Sequence, residues 1–182
     1  MKFTKTIILT ICVLALLSTT TIVFAAGYDR KDSDTLSAQD RLNLLVDQGY
    51  AFIGNLSQEE IINILGKPEH KSIKTHLNKH FPEYEDSYIT LYYPRFIIQL
   101  FHSEAADQEF VTHFSIVEKD QDFIWATNIG MTIQQIQTIY GVPALYDTDY
   151  LLFEEETEAG SNVIFHLKNG IVNRIDFCFY TD

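Results

Sequence analysis

Two short stretches of the chain carry the same arrangement of apolar and polar positions. Leu56-Ser57-Gln58-Glu59-Glu60-Ile61-Ile62-Asn63-Ile64-Leu65-Gly66-Lys67-Pro68 aligns without a gap on Met131-Thr132-Ile133-Gln134-Gln135-Ile136-Gln137-Thr138-Ile139-Tyr140-Gly141-Val142-Pro143, at an offset of 75 (131 − 56). Ser57 and Thr132 are helix N-caps, and Glu60 and Gln135, three residues on, can reach back to the cap N–H as a capping box. Leu56 and Met131 precede the caps, where each can staple to Ile61 or Ile136 one turn inside. Gly66 and Gly141 supply a left-handed terminus, and the proline two residues later prevents the helix continuing. The spacing predicts an inward stripe of Ile61, Ile64 and Leu65 in the first helix and Ile136, Ile139 and Tyr140 in the second.

Alternating runs follow each helix and predict strands. They are Tyr88 to Tyr93, Arg95 to His102 and Phe110 to Val117, then Tyr150 to Glu155, Asn162 to Lys168 and Ile171 to Tyr180. The last strands also correspond, Val111-Thr112-His113-Phe114-Ser115-Ile116 against Val172-Asn173-Arg174-Ile175-Asp176-Phe177, at an offset of 61 (172 − 111). Asn169-Gly170 predicts a tight hairpin because both central residues of such a turn need positive φ. Pro94 marks a bend in the first half, and Ser103 to Glu109 a longer loop. A further helix, roughly Leu36 to Gln48, opens the first half with Leu42, Leu45 and Val46 inward. The expectation is an α+β protein of two tandem helix-plus-antiparallel-meander units, the first over 36–118 and the second over 123–182, with Glu118 to Asp122 as the polar connection.

The N-terminus changes the setting. Lys2 and Lys5 precede the apolar run Ile7 to Leu17, and a Thr-rich stretch closes on Val23-Phe24-Ala25-Ala26, the layout of a secretory signal peptide. Residues 1–25 are therefore expected to be cleaved, with Val23-x-Ala25 or Phe24-x-Ala26 at the site and a flexible mature N-terminus over 26–35. The alternative is an uncleaved anchor, since Ile7 to Ala26 could just span a bilayer. Export to the periplasm or medium follows in the first case, and membrane attachment arises only through this segment in the second. Cys12 lies inside the apolar run, so no lipidated cysteine sits at the cleavage point. The chain has 13 Lys+Arg against 25 Asp+Glu, a net charge of −12. Loss of Lys2 and Lys5 takes it to −14, which argues against nucleic acid and anionic membrane partners. Cys178 alone remains in the mature chain, so no internal disulfide forms there. A buried thiol is expected, with an intermolecular bridge as the alternative.

The pattern Ile129-Gly130-Met131-Thr132-x-x-Gln135-Ile136-x-x-Ile139-Tyr140-Gly141-x-Pro143, followed by a meander, resembles the β-lactamase-inhibitor-protein-like fold and the SmpA/OmlA type of outer-membrane-assembly lipoprotein. The tandem arrangement is closer to the inhibitor family. That resemblance implies one curved antiparallel sheet with helices packed on one face, and a non-catalytic, protein-binding role. Gly-Met-Thr occurs only in the second copy; the first reads Gly54-Asn55-Leu56-Ser57. The inhibitor family's disulfides and the lipoproteins' acylated cysteine both lack residues here, so neither specific function carries over.

With helices on one face, alternation assigns Ile89, Leu91, Tyr93, Phe96, Ile98, Leu100, Phe114, Ile116, Leu151, Phe153, Phe165, Leu167, Ile175, Phe177 and Phe179 to the core. The other face then carries Tyr88, Thr90, Tyr92, Ile97, Gln99, Phe101, His113, His166, Arg174, Asp176, Cys178 and Tyr180. Tyrosine and arginine are enriched where proteins bind, because they combine buried area with a polar tip. The expected partner-binding residues are Tyr88, Tyr92, Gln99, Phe101, His113, His166, Arg174 and Tyr180, and the expected partner is another protein. The competing expectation is that a terminal segment or second subunit covers this face.

Other chemistry is thin. His76 and His80 have the i,i+4 spacing of a helical zinc pair but lack the metalloprotease Glu, and Pro82 predicts a loop. Asp147, Asp149 and Glu154-Glu155-Glu156 fit no EF-hand spacing and read as a solvated acidic edge. No hydrolase elbow, phosphate loop or zincin motif is present. Neither a catalytic residue, a metal nor a cofactor is expected. Asn55-Leu56-Ser57 matches a glycosylation acceptor but coincides with the helix cap. Three functions follow in order: an exported binding protein, with an inhibitor of a secreted or periplasmic enzyme as one form; a cell-envelope assembly or accessory protein; and a small hydrolase using Cys178 with His113 or His166.

Overall fold

The computed structural model describes residues 36–119, 124–155 and 160–179. The expected signal peptide over 1–25, the N-terminus over 26–35, Cys12, residues 120–122 of the polar connection, Glu156 and Tyr180 lie outside the described residues. Among those described, three α-helices and one eight-stranded antiparallel sheet make an α+β fold. No helix among them is long and apolar enough to cross a membrane.

Helix α1 spans Ala38–Ile53, α2 Gln58–Leu65 and α3 Ile133–Tyr140. Each starts at a complete capping box: Ser37 with Asp40, Ser57 with Glu60, and Thr132 with Gln135. Loss of such a cap costs about 1 kcal/mol, a large share of what an eight-residue helix can supply by itself. Gly66 and Gly141 end α2 and α3 at φ 82 and 84 with ψ −175 and −151. These are positive-φ extended conformations rather than the left-handed helical one expected, and only glycine enters that region freely. α1 runs past Gln48, the expected end, because Gly49 stays helical and lies against the ring of Phe177.

The strands are β1 His70–Leu77, β2 Glu85–Tyr92, β3 Phe96–Ser103, β4 Gln108–Ile116, β5 Leu145–Tyr146, β6 Tyr150–Glu154, β7 Asn162–Lys168 and β8 Ile171–Cys178. Their order in the sheet is β1-β2-β3-β4-β8-β7-β6-β5, two meanders that meet where β4 pairs with β8. Asn169 and Gly170 take φ 56 and 74, the hairpin geometry expected of Asn-Gly. The β3–β4 connection is shorter than expected, a four-residue turn between Ser103 and Gln108 with Asp107 at φ 51.

All fifteen residues assigned to the core by alternation are buried. Phe114, Phe153, Phe165 and Phe177 are fully enclosed, and removing each such side chain from water contributes about 1.5–3 kcal/mol. α1 covers this face through Leu42, Leu45, Val46 and Ile53, and Phe52 packs its ring against Phe114 and Trp125. The α2 stripe needs correction. Ile61 is fully buried and Leu65 packs on the core, but Ile64 is exposed and Ile62 takes its place. With Ile61 and Leu65 inward in either case, a turn of the helix by about 50°, half a residue, is enough to exchange the two isoleucines.

The largest difference is β1. The segment around His76 and His80 is expected to be a loop because of Pro82 and its polar surroundings. His80 does lie in a turn, but His70–Leu77, with only Ile73 and Leu77 apolar, is the edge strand, paired to β2 along its whole length. An edge strand with one neighbour and little cover has no need of a buried face.

Candidate binding face

The helices occupy one side of the sheet, so register decides what the other side presents. Pairs directly opposite in an antiparallel sheet point the same way. His70, Tyr92, Ile97, Ser115, Asp176, Ile164 and Leu152 form one such row across the sheet; Ser72, Thr90, Gln99, His113, Cys178, Asn162 and Glu154 form the next. Lys74, Tyr88, Phe101 and Phe110 continue it at one end, and Arg174, His166 and Tyr150 at the other.

At the centre lies a hydrogen-bonded charge network. Arg174 donates from Nε to Asp176 Oδ1 at 2.6 Å and from one terminal nitrogen to Asp176 Oδ2 at 2.7 Å. The same terminal nitrogen reaches Ser115 Oγ at 3.3 Å. His166 Nε2 lies 2.7 Å from Asp176 Oδ2. Burial by itself would raise the Asp176 carboxyl, but hydrogen bonds from His166, Arg174 and Ser115, with the Arg174 charge, hold it below the ordinary value. A guanidinium held by two parallel bonds cannot swing, so Arg174 presents its remaining edge in a fixed direction.

A depression of about 260 Å³ adjoins this network, lined by Thr90, Ile97, Gln99, His113, Ser115 and Arg174. Desolvation by the surrounding sheet lowers the His113 pKa, with Asp176 opposing and Arg174 reinforcing the shift. Beside the depression stands an aromatic cluster. Tyr88 stacks on His76 with ring centroids 5.4 Å apart and meets Phe101 at 5.3 Å. Tyr92 packs on His70 at 5.4 Å.

Of the eight expected binding residues, seven share this face. Gln99, His113 and Arg174 line the depression, His166 joins the network, and Tyr88, Tyr92 and Phe101 form the flank. Tyr180 lies outside the described residues. Asp176, assigned to this face, and Ser115, its partner at the meeting of the two meanders, are both absent from the expected binding residues, although the two align at offset 61. His70, Lys74 and His76 were missed because β1 was not read as a strand.

The remaining candidates separate. His76 is on a strand and His80 in the following turn, so they share no helical face. Among the described residues no group of three or more His, Cys, Asp or Glu is placed to hold a metal ion. Cys178 sits directly opposite His113 in the β4–β8 register. Burial, and then the neighbouring Asp176 charge, push its thiol up to about 11, so it is protonated at neutral pH. No family model matches this chain, and no curated protein or solved structure matches it either.

Proposed function

We propose that the chain is an exported, non-catalytic module of two tandem units that captures another protein on its helix-free sheet face, inhibition of a secreted or periplasmic enzyme being one form of that role. The observation that carries this reading is the pairing of a fixed Arg174–Asp176–His166 centre with a half-exposed aromatic flank. A rigid polar centre and large amphipathic rings cost little entropy to dock, and such groups dominate binding energy at protein interfaces. Cys178, the only candidate nucleophile on this face that the sequence suggested, is held as a thiol, which favours binding over chemistry.

The tandem reading has support beyond the repeated helix. A β-bulge falls between Gln99 and Leu100 where β3 meets β4, and another between His166 and Leu167 where β7 meets β8. The extra residues are Thr112 and Asn173, which correspond at offset 61. The Glu69 amide bonds to Tyr92 O and the Ala144 amide to Leu152 O, both at 2.8 Å, with 69 and 144 related by the helix offset of 75. Across β4–β8, Phe114 pairs with Phe177 and Ile116 with Ile175, and offset 61 exchanges these two pairs. Ser115 and Asp176 are each other's equivalents and pair together, so a local two-fold axis relating the halves passes between them. Around that axis the first copy contributes neutral or weakly basic Gln99, His113 and Ser115, and the second His166, Arg174 and Asp176. The depression lies over the less charged half.

Capture of proteins from the producing cell's envelope and medium by immobilised protein tests the face. Tyr88→Ala with Tyr92→Ala should weaken capture at least about 30-fold, since loss of one good aromatic anchor alone costs about 2 kcal/mol. Ile64→Ala, on the helix side, should leave it unchanged. Equal capture by the tyrosine variant and the parent would overturn the assignment.

A further inference from the structure

We propose a second docking site at the β1 edge, bordering the aromatic flank and sharing His70, Lys74 and His76 with it: it accepts, by strand addition, an extended segment of another protein in which acidic and apolar residues alternate. Among the described residues β1 is the long edge of the sheet with no neighbour on its outer side, eight residues against two in β5 at the opposite side. Every residue of it is exposed except Ser72, which is half-buried. The Asn78 amide donates to Tyr84 O, and antiparallel alternation from that bond turns the N–H and C=O groups of Leu77, Thr75, Ile73 and Lys71 away from β2. A row of outward main-chain groups is what strand addition uses for affinity.

The side chains specify the occupant. Toward the helix-free face β1 presents His70, Ser72, Lys74 and His76; toward the helix face it presents Lys71, Ile73, Thr75 and Leu77, with Ile73 55% and Leu77 62% exposed. Between His70 and Leu77 there is no carboxylate, in a chain whose net charge is −12. Nearby, Asp86 opposite His76 is buried and accepts from Asn78 Nδ2 at 2.8 Å and from the Glu104 amide at 3.2 Å, and Glu85 stands opposite Leu77 at the far end. A partner strand would therefore set apolar side chains beside Ile73 and Leu77 and carboxylates beside Lys74 and its flanking histidines. Lysines on an edge also discourage pairing with a second copy, which would bring like charges together. The same residues thus exclude self-association and select an acidic partner.

The test uses the ¹⁵N-labelled full chain and two acetylated peptides, one alternating glutamate with valine and one with lysine in place of glutamate. Amide exchange at Lys71, Ile73, Thr75 and Leu77, followed by NMR, should slow about tenfold when the glutamate peptide is present at about ten times its Kd, because protection scales as 1 + [L]/Kd. The lysine peptide should leave it unchanged, and Lys74→Glu should reverse the preference. Thr75→Pro removes an outward N–H, a change edge strands tolerate, and should abolish docking. If that variant fails to fold, the charge reversal still decides. Unchanged exchange with the glutamate peptide, equal effects of both peptides, or edge protection that rises with protein concentration without peptide would each overturn the proposal.

Discussion

Asp176→Asn tests whether the centre of the binding face is a built network. The carboxylate accepts three short, charge-assisted bonds, at 2.6, 2.7 and 2.7 Å. Its side chain is 10% exposed, while those of Arg174 and His166 are 41% and 35% exposed. A buried hydrogen bond to a charged group is worth about 1.5–3 kcal/mol net. Here water can replace much of what Arg174 and His166 lose, and asparagine keeps one acceptor oxygen. The other oxygen becomes an NH₂ that faces donors. Together these give a destabilisation of about 2 kcal/mol, below the 3–5 expected for breaking a fully buried pair. For a chain of this size that lowers Tm by about 4–8 °C. The sign with pH is fixed by the lowered folded-state pKa of Asp176. Its contribution is complete above the unfolded carboxyl value near 3.9 and is lost as pH falls through the folded value. Urea denaturation of both proteins from pH 7 downward should therefore show a gap that closes in acid, where protonated aspartate resembles asparagine. A gap below about 0.5 kcal/mol at pH 7, or one that stays constant into acid, would refute the network.

Two further predictions follow from packing and burial. A Cβ on Gly49 would lie 2.9 Å from Phe177 Cδ1 and 3.0 Å from Cε1, in a fully buried ring. Gly49→Ala gains about 1 kcal/mol of helix propensity but overpacks the α1–β8 contact by about 1–3, so chemical denaturation should show net destabilisation, relieved by Phe177→Leu; a stabilised single variant would contradict the placement of α1. With its thiol pushed up to about 11, Cys178 has roughly 100-fold less thiolate at pH 7 than an ordinary cysteine, so peptide mapping after brief iodoacetamide treatment should find it at least about tenfold less alkylated than in urea; comparable labelling in the two states would be inconsistent with its setting.

The parts legible in the sequence are those whose cause is local. Ser57 with Glu60 and Thr132 with Gln135 satisfy their own helix amides, and Gly66 and Gly141 end those helices through their own backbone freedom, so each signal is complete within one turn. Alternation likewise assigned the fifteen core residues, since a strand with one buried face must place apolar side chains two apart. The same alternation brought Tyr88, Tyr92, Gln99, Phe101, His113, His166 and Arg174 to a common face.

Tertiary structure decided what depends on distant partners. β1 has no buried face to write into its sequence, and only its pairing with β2 makes it a strand. Ile62 displaced Ile64 because the rotation of α2 answers to the core it packs on, and α1 continued through Gly49, whose missing Cβ lets the helix lie against the ring of Phe177. Above all, the joining of β4 to β8 set Ser115 against Asp176 and within reach of Arg174. Periodicity determines which way a side chain points, whereas its neighbour across the sheet is settled only by how the strands pair.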